Sequence, residues 1–336
     1  MGERSLSKYQ WGIETTRGTA VAATRVAGAE VKPVPADRVW EFVRLANGRR
    51  AGAQAKRNDQ YLVKDTLTFP QAYFQLWPMI GQCSLDGTIT PAEQTPSQAD
   101  YLWDIVPSMT AANDPDTFTL ELGDDVQAYE IEYCMIDRIK YSFAIGSGGE
   151  AVPVALEVGY FGRQVTPTTF TGALALPTGL ELMNGKLARL YLDTTWAGIG
   201  GTEQTSLLRG AEVEIMIGNH PKPLGSANKY FTTHGEGDID VLVTLDLEGN
   251  ASADAIFDLY QAGTERALRL DINGGQIAAG VNHRHRLDVY GAFELVQPLS
   301  NNIGGNNIHR AIFHGKEDSS GNFMRMNPIT NLSTPA

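Results

Sequence analysis

Histidines are the first residues in this sequence whose type and spacing could support catalysis. The chain has six, and His283 and His285 lie two residues apart in the segment NHRHRLDVY, so both lie on one face if the segment is extended. Two such histidines can ligate a metal ion, as in cupin-type enzymes. Arg284 lies between them, Arg286 follows them, and no nearby carboxylate completes a ligand set. The sequence therefore favours an exposed, hydrogen-bonded basic strand, with a cupin-like metalloenzyme as the alternative.

Other catalytic patterns are weak or absent in the sequence. Asp124 and Asp125 are adjacent, so on a strand they would point to opposite faces, and they favour a turn over an acid–base pair. The glycine-rich segments 145–151 and 301–307 lack a strand-to-helix context and predict loops, not phosphate-binding sites. The sequence has no G-x-S-x-G elbow and no H-E-x-x-H pattern. We expect neither enzymatic activity nor a bound cofactor or metal.

Composition limits the classes of protein to which this chain can belong. Its 336 residues are 42% hydrophobic, enough for the core of one elaborated domain or two packed domains. No run of about 18 apolar residues predicts a membrane span. The net charge of −12 is unsuited to gripping a phosphate backbone, although an acidic protein can still enclose DNA. Cys83 and Cys134 match no metal or disulfide framework, so we expect small buried side chains in a protein that folds in a reducing compartment.

Short alternating stretches predict an all-β fold. Apolar and polar residues alternate with a period of two in 126–134, 211–218 and 238–249, as in strands that cover a core with one face and meet water with the other. The segment 266–280 predicts a strand, a turn at Asn273–Gly274 and a second strand. The 35 glycines, with Asn, Thr and Pro, separate such stretches along the chain.

A few short helices accompany the strands. The clearest candidate covers 252–263, with Ser252 as the predicted N-cap, an apolar stripe in the middle and Gly263 at its end. The aromatic-rich segments 69–81 and 97–106 are shorter candidates. Helices so few and scattered pack against a sheet and form no layer of their own.

The polar faces of the predicted strands form the one less ordinary pattern. They would line the interior if the sheet belonged to a closed barrel, and a lumen rich in carboxylates would repel DNA phosphates. The alternative, which the pattern alone favours, is an ordinary solvated outer face. The candidate lumen-lining residues are Lys140, Ser142, Glu157, Glu212, Glu214, Asp240, Thr244, Asp246 and Glu248.

An imperfect internal repeat suggests two tandem β domains. The segment 139–146 resembles 211–218, since both end on Ile-Gly, and 154–159 resembles 243–248 in the phase of its apolar residues. Lys140 stands where the second copy has Glu212, so the match is partial.

The repeat predicts the positions of the domain boundaries. The Thr, Pro and Gly content of 166–179 is typical of a connector between two domains. We therefore expect an N-terminal segment at 1–29, a first β domain at 30–170 and a second at 171–336.

Three segments resemble the major tail tube proteins of long-tailed, siphovirus-like bacteriophages. The segment 11–24, WGIETTRGTAVAAT, resembles the opening of their N-terminal arm. The segment 102–124 resembles the stretch before a Thr-x-Leu strand, and 248–274 resembles their strand, small helix and strand. The resemblance covers most of the chain in order and includes no catalytic motif.

The resemblance implies a fold and a mode of assembly. Tube proteins are β-sandwiches with a long hairpin and an arm, and the inner sheets of neighbouring subunits join into a ring-wide β-barrel. Their arms and loops bridge successive rings, so residues 1–29 would be an assembly arm that becomes ordered only on assembly. Its candidate contact residues are Trp11, Glu14, Arg17 and Thr19.

The resemblance also implies partners and a location. Two fused tube domains would make a trimeric ring with pseudo-sixfold symmetry, which the repeat favours, and a hexamer is the alternative. The tube would meet the tape-measure protein and DNA in its lumen and the tail tip and tail terminator proteins at its ends. It would be assembled in the cytoplasm of the host bacterium and reside in the virion, with no membrane partner.

A carbohydrate-binding or hydrolytic β-sandwich is the alternative function. Two carboxylates at a suitable separation would suffice for glycoside hydrolysis. A sugar-binding platform usually needs exposed aromatic side chains, whereas Trp40, Trp77, Trp103 and Trp196 lie in apolar contexts that predict the core.

Overall fold

A computed structural model describes residues 3–50, 52–58, 60–146, 148 and 151–335. The predicted loop at 145–151 includes residues 147, 149 and 150, which lie outside the described residues. The strands are β1 (Lys8–Ile13), β2 (Arg25–Val26), β3 (Glu41–Val43), β4 (Ala55–Arg57), β5 (Val63–Phe69), β6 (Ala92–Glu93), β7 (Tyr101–Leu102), β8 (Phe118–Gly123), β9 (Ala128–Ala144), β10 (Ala155–Gly162), β11 (Val165–Thr168), β12 (Ala188–Asp193), β13 (Leu208–Met216), β14 (His220–Lys222), β15 (Thr233–Gly235), β16 (Asp240–Glu248), β17 (Arg266–Ala278), β18 (Val281–Ile303), β19 (Asn306–Gly315), β20 (Met324–Met326) and β21 (Ile329–Thr330).

Few helices accompany these strands, as the sequence predicts. The α-helices are α1 (Trp77–Ser84) and α2 (Ala251–Gln261), and short 3-10 turns occur at Arg4–Leu6, Phe74–Leu76, Gly185–Leu187 and Trp196–Gly198. The prediction of an all-β protein with a few short helices is confirmed.

Two antiparallel sheets share the long strand β9. The larger sheet has the order β5–β10–β9–β13–β16–β19–β18–β17–β12. The smaller sheet has the order β2–β1–β8–β9–β11 and pairs with the first half of β9. Between the two halves of β9, Tyr133 has φ 54°, a left-handed conformation that is uncommon for a residue with a side chain. This bend allows one strand to serve both sheets.

The core lies between the two sheets and under α1. Trp11 of the smaller sheet packs on Phe69 of the larger one, with ring centroids 6.4 Å apart, and on Phe118, 6.3 Å away. In β16 buried apolar residues alternate strictly with half-exposed residues, which are polar except for Leu242, as predicted for 238–249. Cys83 and Cys134 are fully buried free thiols, and burial raises the pKa of both.

The predicted helix boundaries are partly corrected. Helix α2 begins after Asn250, whose side-chain oxygen accepts hydrogen bonds from the N–H groups of Ser252 and Ala253, so Asn250 and not Ser252 is the N-cap. Gly263 follows the helix with φ 61°, as predicted for its end. The candidate at 97–106 is wrong, because it contains β7 and no helix, and the one at 69–81 begins as the end of β5 and becomes helical only from Phe74.

One predicted turn lies elsewhere, and one predicted loop is shorter than expected. Strand β17 continues through Asn273–Gly274, with a register shift between Asn273 and Gln276, and the chain turns at 279–280 instead. Gly274 is required by close packing, because a Cβ there would lie 2.5 Å from the Phe74 ring. The predicted loop at 301–307 is the end of the β18–β19 hairpin, whose turn is Gly304–Gly305.

The N-terminal segment is part of the sandwich and not a separate arm. Strand β1 pairs with β8 along its whole length, and Trp11 is only 3% exposed. Buried and exposed residues do not alternate in β1, because the strand is covered on both faces and four consecutive residues are buried. Residues 8–13 are therefore ordered within the single chain.

Two buried carboxylates fasten this segment. Glu14 accepts hydrogen bonds from the Thr117 and Thr119 hydroxyls (2.6 and 3.1 Å) and from the N–H groups of Gly18 and Tyr133 (2.7 and 2.8 Å). No basic side chain in the described part of the chain pairs with Glu14, so these four donors replace its lost hydration.

Glu121 on β8 is held in the same way. Its oxygens accept from the side-chain amide of Gln10, the N–H of Ala23, and both the N–H and the hydroxyl of Thr171, at 2.6–3.2 Å. Gln10 and Ala23 of the N-terminal segment thus donate hydrogen bonds to Glu121 on β8. In return, Thr117 and Thr119 of β8 and its approach donate to Glu14 of the N-terminal segment.

The two predicted domains share one core. The repeated segments 139–146 and 211–218 are neighbours, because β9 and β13 pair antiparallel with Lys140 opposite Glu214. A single hydrophobic cluster contains residues from Tyr9 to Met326, and it spans the predicted boundary at 170. The described residues on either side of that boundary therefore form one continuous body.

Replacing Glu14 by Ala should destabilise the fold by about 3 kcal/mol, because four buried donors lose their acceptor. Urea unfolding followed by circular dichroism measures the change. The exposed Glu3, replaced by Ala, is the matched control and should change the free energy of unfolding by less than about 0.5 kcal/mol. Equal stabilities of the two variants would contradict the role given to Glu14.

Candidate functional site

The nine candidate lumen-lining residues lie together on one face of the larger sheet. They come from four adjacent strands, β10, β9, β13 and β16, and all nine are partly exposed while the residues between them point into the core. In one cross-strand row Glu157 lies opposite Lys140, and Lys140 lies opposite Glu214. The sequence pattern therefore identified a real surface, which we call the polar sheet face.

Ion pairs join neighbouring strands across the polar sheet face. Arg138 lies 3.5 Å from Glu157 on one side and 3.4 Å from Glu214 on the other. Lys140 lies 3.0 Å from Glu212. Half-exposed pairs of this kind each contribute little to stability, about 0.2–1 kcal/mol, but they fix which charges remain free.

Basic side chains that the sequence analysis overlooked reduce the acidity of this face. Arg209 pairs with Glu248 at 2.5 Å, and Arg310 lies opposite Asp246 on the adjacent strand. The six predicted carboxylates therefore share the face with Arg138, Lys140, Arg209 and Arg310. Arg138 directly precedes the repeated segment, and Arg310 belongs to β19, for which no alternating pattern was recognised.

His314 extends the same network. Its Nε2 lies 2.7 Å from Asp240 and its Nδ1 lies 3.2 Å from Glu294. The polar sheet face is thus a mosaic of seven carboxylates and four Arg or Lys side chains, and it is less acidic than the carboxylate count alone predicts.

Asp246 is the carboxylate on this face whose negative charge is least compensated by neighbouring cations. Burial raises its pKa, Glu212 raises it further, and Arg310 opposes the rise. No ion pair to Asp246 occurs among the residues that the structure describes. Its charged form therefore weakens the fold slightly at neutral pH.

The four candidate arm residues do not form a projecting contact surface. Trp11 and Glu14 are buried in the chain's own sandwich, and Arg17 donates to Asp114 (2.6 Å) and to the carbonyl of Pro115 (2.9 Å). Only Thr19 is exposed. Because Trp11 is buried in the core of its own chain, its side chain is not available for contact with another chain.

A hairpin that the sequence analysis missed projects instead. Strands β3 and β4 pair only with each other, and the segment 38–58 around them, here called the basic hairpin, exposes large apolar side chains to solvent. Val39 is 82% exposed, Phe42 69% and Leu45 51%. Trp40 is 47% exposed, so the prediction that this tryptophan lies in the core is wrong.

The other tryptophans divide between core and surface. Trp77 and Trp103 are fully buried, as predicted, whereas Trp196 is only partly buried, in a short 3-10 turn.

The basic hairpin is also strongly charged. It contains six basic residues and the single acid Glu41, which lies 2.5 Å from Arg57. The ammonium group of Lys56 lies 4.7 Å from the centre of the Trp40 ring. Arg44, Arg49 and Arg50 have no ion pair within the described ranges. This combination of exposed aromatic, aliphatic and arginine side chains is typical of a protein-binding surface.

The outer edges of the larger sheet are partly covered. At β5, the N–H of Glu30 and the ammonium group of Lys32 donate to the carbonyls of Thr68 and Thr66, each at 2.7 Å. At β12, the loop 202–204 exchanges backbone hydrogen bonds with the strand. Such covering protects edge strands from indiscriminate pairing.

His283 and His285 lie in the core and not on an exposed strand. Both side chains point inward from β18, where His283 stacks on Phe74 with centroids 5.6 Å apart and His285 on Trp77 at 3.6 Å. Burial lowers the pKa of both, that of His285 to about 3. The prediction of an exposed basic strand is therefore wrong, because the apolar residues of this strand share the inward face with the histidines.

Replacing His285 by Phe should remove part of the acid sensitivity of the fold. The folded-state pKa of His285 is depressed to about 3, so below pH 6.5 the unfolded chain binds a proton that the folded chain does not. Stability is therefore lost as the pH falls from about 6.5 toward 3, by about 2 kcal/mol between pH 7 and pH 4.5. Urea unfolding at both pH values measures this loss.

The His285→Phe variant should show a loss smaller by that amount. Replacement of the exposed His220 by Phe is the control and should keep the wild-type difference. An unchanged pH dependence in His285→Phe would show that the ring is not held neutral in the core.

Replacing Asp246 by Asn should stabilise the fold slightly at pH 7, by less than about 1 kcal/mol because the group is half exposed. The raised pKa means that the folded chain binds a proton more readily than the unfolded chain in the window just above pH 3.8, so the advantage of the variant should shrink as the pH falls through it. Asp240→Asn, which weakens an acceptor of His314, should not stabilise. Thermal unfolding from pH 3 to 7 compares them.

The described residues add two further observations. They contain no cluster of three or more His, Cys, Asp or Glu side chains placed to hold a metal ion. Among them, no helix is both long enough and apolar enough to cross a bilayer.

No protein-family model matches the chain, and no curated protein matches it.

Proposed function

We propose that this chain is a structural subunit that assembles with copies of itself into stacked rings, forming the hollow tail tube through which a long-tailed phage delivers DNA. The observation that carries the proposal is the basic hairpin. It leaves Val39, Phe42 and Leu45 largely in solvent, and Arg44, Arg49 and Arg50 have no ion pair within the described ranges. A second copy of the chain is the partner that we assign to it.

Apolar exposure supports this assignment. Val39, Trp40, Phe42 and Leu45 follow one another closely on a two-stranded projection, which has no core of its own to bury them. Burial of apolar surface contributes about 25 cal/mol per Å², so covering such side chains on each subunit would drive association. A contiguous exposed apolar patch of this kind typically marks an interaction site.

Charge complementarity supports a second copy as the partner. The whole chain has 27 basic and 39 acidic side chains, and segment 38–58 has six and one of these, so the rest of the chain carries a net charge of −17. A basic hairpin is attracted to an acidic body, and repetition of that contact from subunit to subunit gives an open-ended or ring-shaped assembly.

The polar sheet face suits the lumen of such an assembly. Three of the four Arg and Lys side chains on this face, Arg138, Lys140 and Arg209, are held in ion pairs, with Arg138 between Glu157 and Glu214 as the clearest case. Few cations are left free to hold a phosphate backbone. In the proposed tube this face meets DNA and the tape-measure protein, while the tail tip and the tail terminator meet the end rings.

Reversing the charge of Arg44, Arg49 and Arg50 to Glu should abolish assembly, because like charges would then meet across the contact. Sedimentation velocity measures the assembled fraction of the full chain at high concentration, and negative-stain electron microscopy shows rings or tubes. The wild type should assemble, and its assembly should weaken as the salt concentration rises. Ring class averages would give the symmetry, trimeric or hexameric.

The matched control places Glu at three exposed basic positions away from the hairpin and from β12, Lys186, Lys222 and Lys316, and should assemble like the wild type. Equal assembly of the hairpin variant and the wild type would show that this hairpin does not join subunits. A wild type that stays monomeric under all conditions would count against self-assembly altogether.

A further inference from the structure

Three Asn-Gly pairs occur in the chain, and they lie in very different surroundings. Asn47–Gly48 is at the exposed tip of the basic hairpin, Asn184–Gly185 is at the start of a 3-10 turn, and Asn273–Gly274 is inside strand β17. Asn-Gly is the pair in which the following backbone nitrogen reaches the side-chain amide with the least steric hindrance, because glycine has no Cβ.

We propose that Asn47 is a site of spontaneous deamidation. The backbone nitrogen of Gly48 attacks Cγ of Asn47, a C–N bond forms, and the Cγ–Nδ2 bond breaks to release ammonia and leave a cyclic imide. Solvent water then opens the imide at either carbonyl, giving aspartate or isoaspartate at position 47. The net reaction consumes one water, releases one ammonia and replaces a neutral amide by a carboxylate.

The nucleophile is available at this pair. Gly48 has φ 72°, lies fully exposed, and would have nothing within 4 Å of an added Cβ. Its N–H makes no hydrogen bond to any residue that the structure describes. The nitrogen can therefore lose its proton to solvent and rotate toward the side chain without breaking a contact.

The electrophile is activated by its neighbours. The N–H of Arg49 donates to Oδ1 of Asn47 at 3.2 Å, so a donor already points at the oxygen that becomes negative when the nitrogen attacks. Arg44, Arg49 and Arg50 lie within three residues of Asn47 in the sequence, and nearby positive charge favours both the deprotonated amide and the negative intermediate.

Asn184 is a natural control within the same chain. Its Oδ1 also accepts from the N–H two residues on, that of Lys186, at 3.0 Å. Gly185, however, is buried, and its N–H donates to the carbonyl of Val152 at 2.8 Å. An added Cβ would lie 2.5 Å from the Phe143 ring, so this backbone is tightly packed. The two sites thus share the donor to Oδ1 and differ in the freedom of the attacking nitrogen and in the number of basic residues nearby.

Asn273 is a second control. It lies in a paired strand opposite Arg284, and Gly274 packs against Phe74 and His283. Rotation at this position would break the strand ladder.

The test is peptide mass spectrometry on the full-length folded protein after incubation at mildly alkaline pH and 37 °C. Trypsin releases the three asparagines in separate peptides, and digestion in ¹⁸O water distinguishes deamidation that occurs during digestion. We expect Asn47 to convert at least about tenfold faster than Asn184 or Asn273, since tenfold corresponds to about the free energy of one lost hydrogen bond. The product should contain both aspartate and isoaspartate, and Gly48→Ala should slow its formation.

The same three peptides from protein incubated in urea provide the reference, because unfolding removes the difference in backbone freedom. Their rates should become similar there. Conversion of Asn47 in the folded protein no faster than that of Asn184 would overturn the proposal, as would aspartate formed without any isoaspartate.

Discussion

Two carboxylates buried without a basic partner constrain the whole structure. Glu14 and Glu121 each need hydrogen-bond donors to replace water, and each receives four, drawn from segments far apart in the chain. One donor is the N–H of Tyr133, the residue whose left-handed conformation bends β9 between the two sheets. The bend allows the second half of β9 to lie between β10 and β13 in the larger sheet. The polar sheet face, with Arg138 and Lys140 at its middle, therefore depends on a network at the other end of the same strand.

Period-two alternation in the sequence correctly predicted the strands that bury only one face. In β16 and β13 the outward residues were recognised because their neighbours point into the core, and all nine predicted positions share one face. Alternation fails where a strand is covered on both faces, as in β1, where even the polar Gln10 is buried and donates its side-chain amide to Glu121. Turn chemistry fails in the same way, since Asn273–Gly274 predicts a turn but lies within β17, where Gly274 packs closely against Phe74.

Hydrophobicity alone could not separate a core residue from an exposed contact residue. Trp40 and Trp77 both lie in apolar contexts, yet the first is exposed on a hairpin and the second is fully buried beside His285. The useful signal was the charge that accompanies the apolar residues. Arginines at 44, 49 and 50 surround the hairpin tip, whereas the sequence around Trp77 carries no charge from 66 to 85. A dense mixture of arginine and aromatic residues favours a surface that binds another protein.

The covered sheet edges and the basic hairpin imply an order of events in the proposed assembly. For β12 to pair with another subunit it must first release the loop 202–204, and exchanging one set of backbone hydrogen bonds for another gains little free energy. Edge pairing therefore cannot drive association by itself. Burial of Phe42 and its apolar neighbours needs no such release, because they are already in solvent. In this scheme hairpin docking comes first and brings two subunits together, and only then does the local concentration favour the edge exchange that would join their sheets.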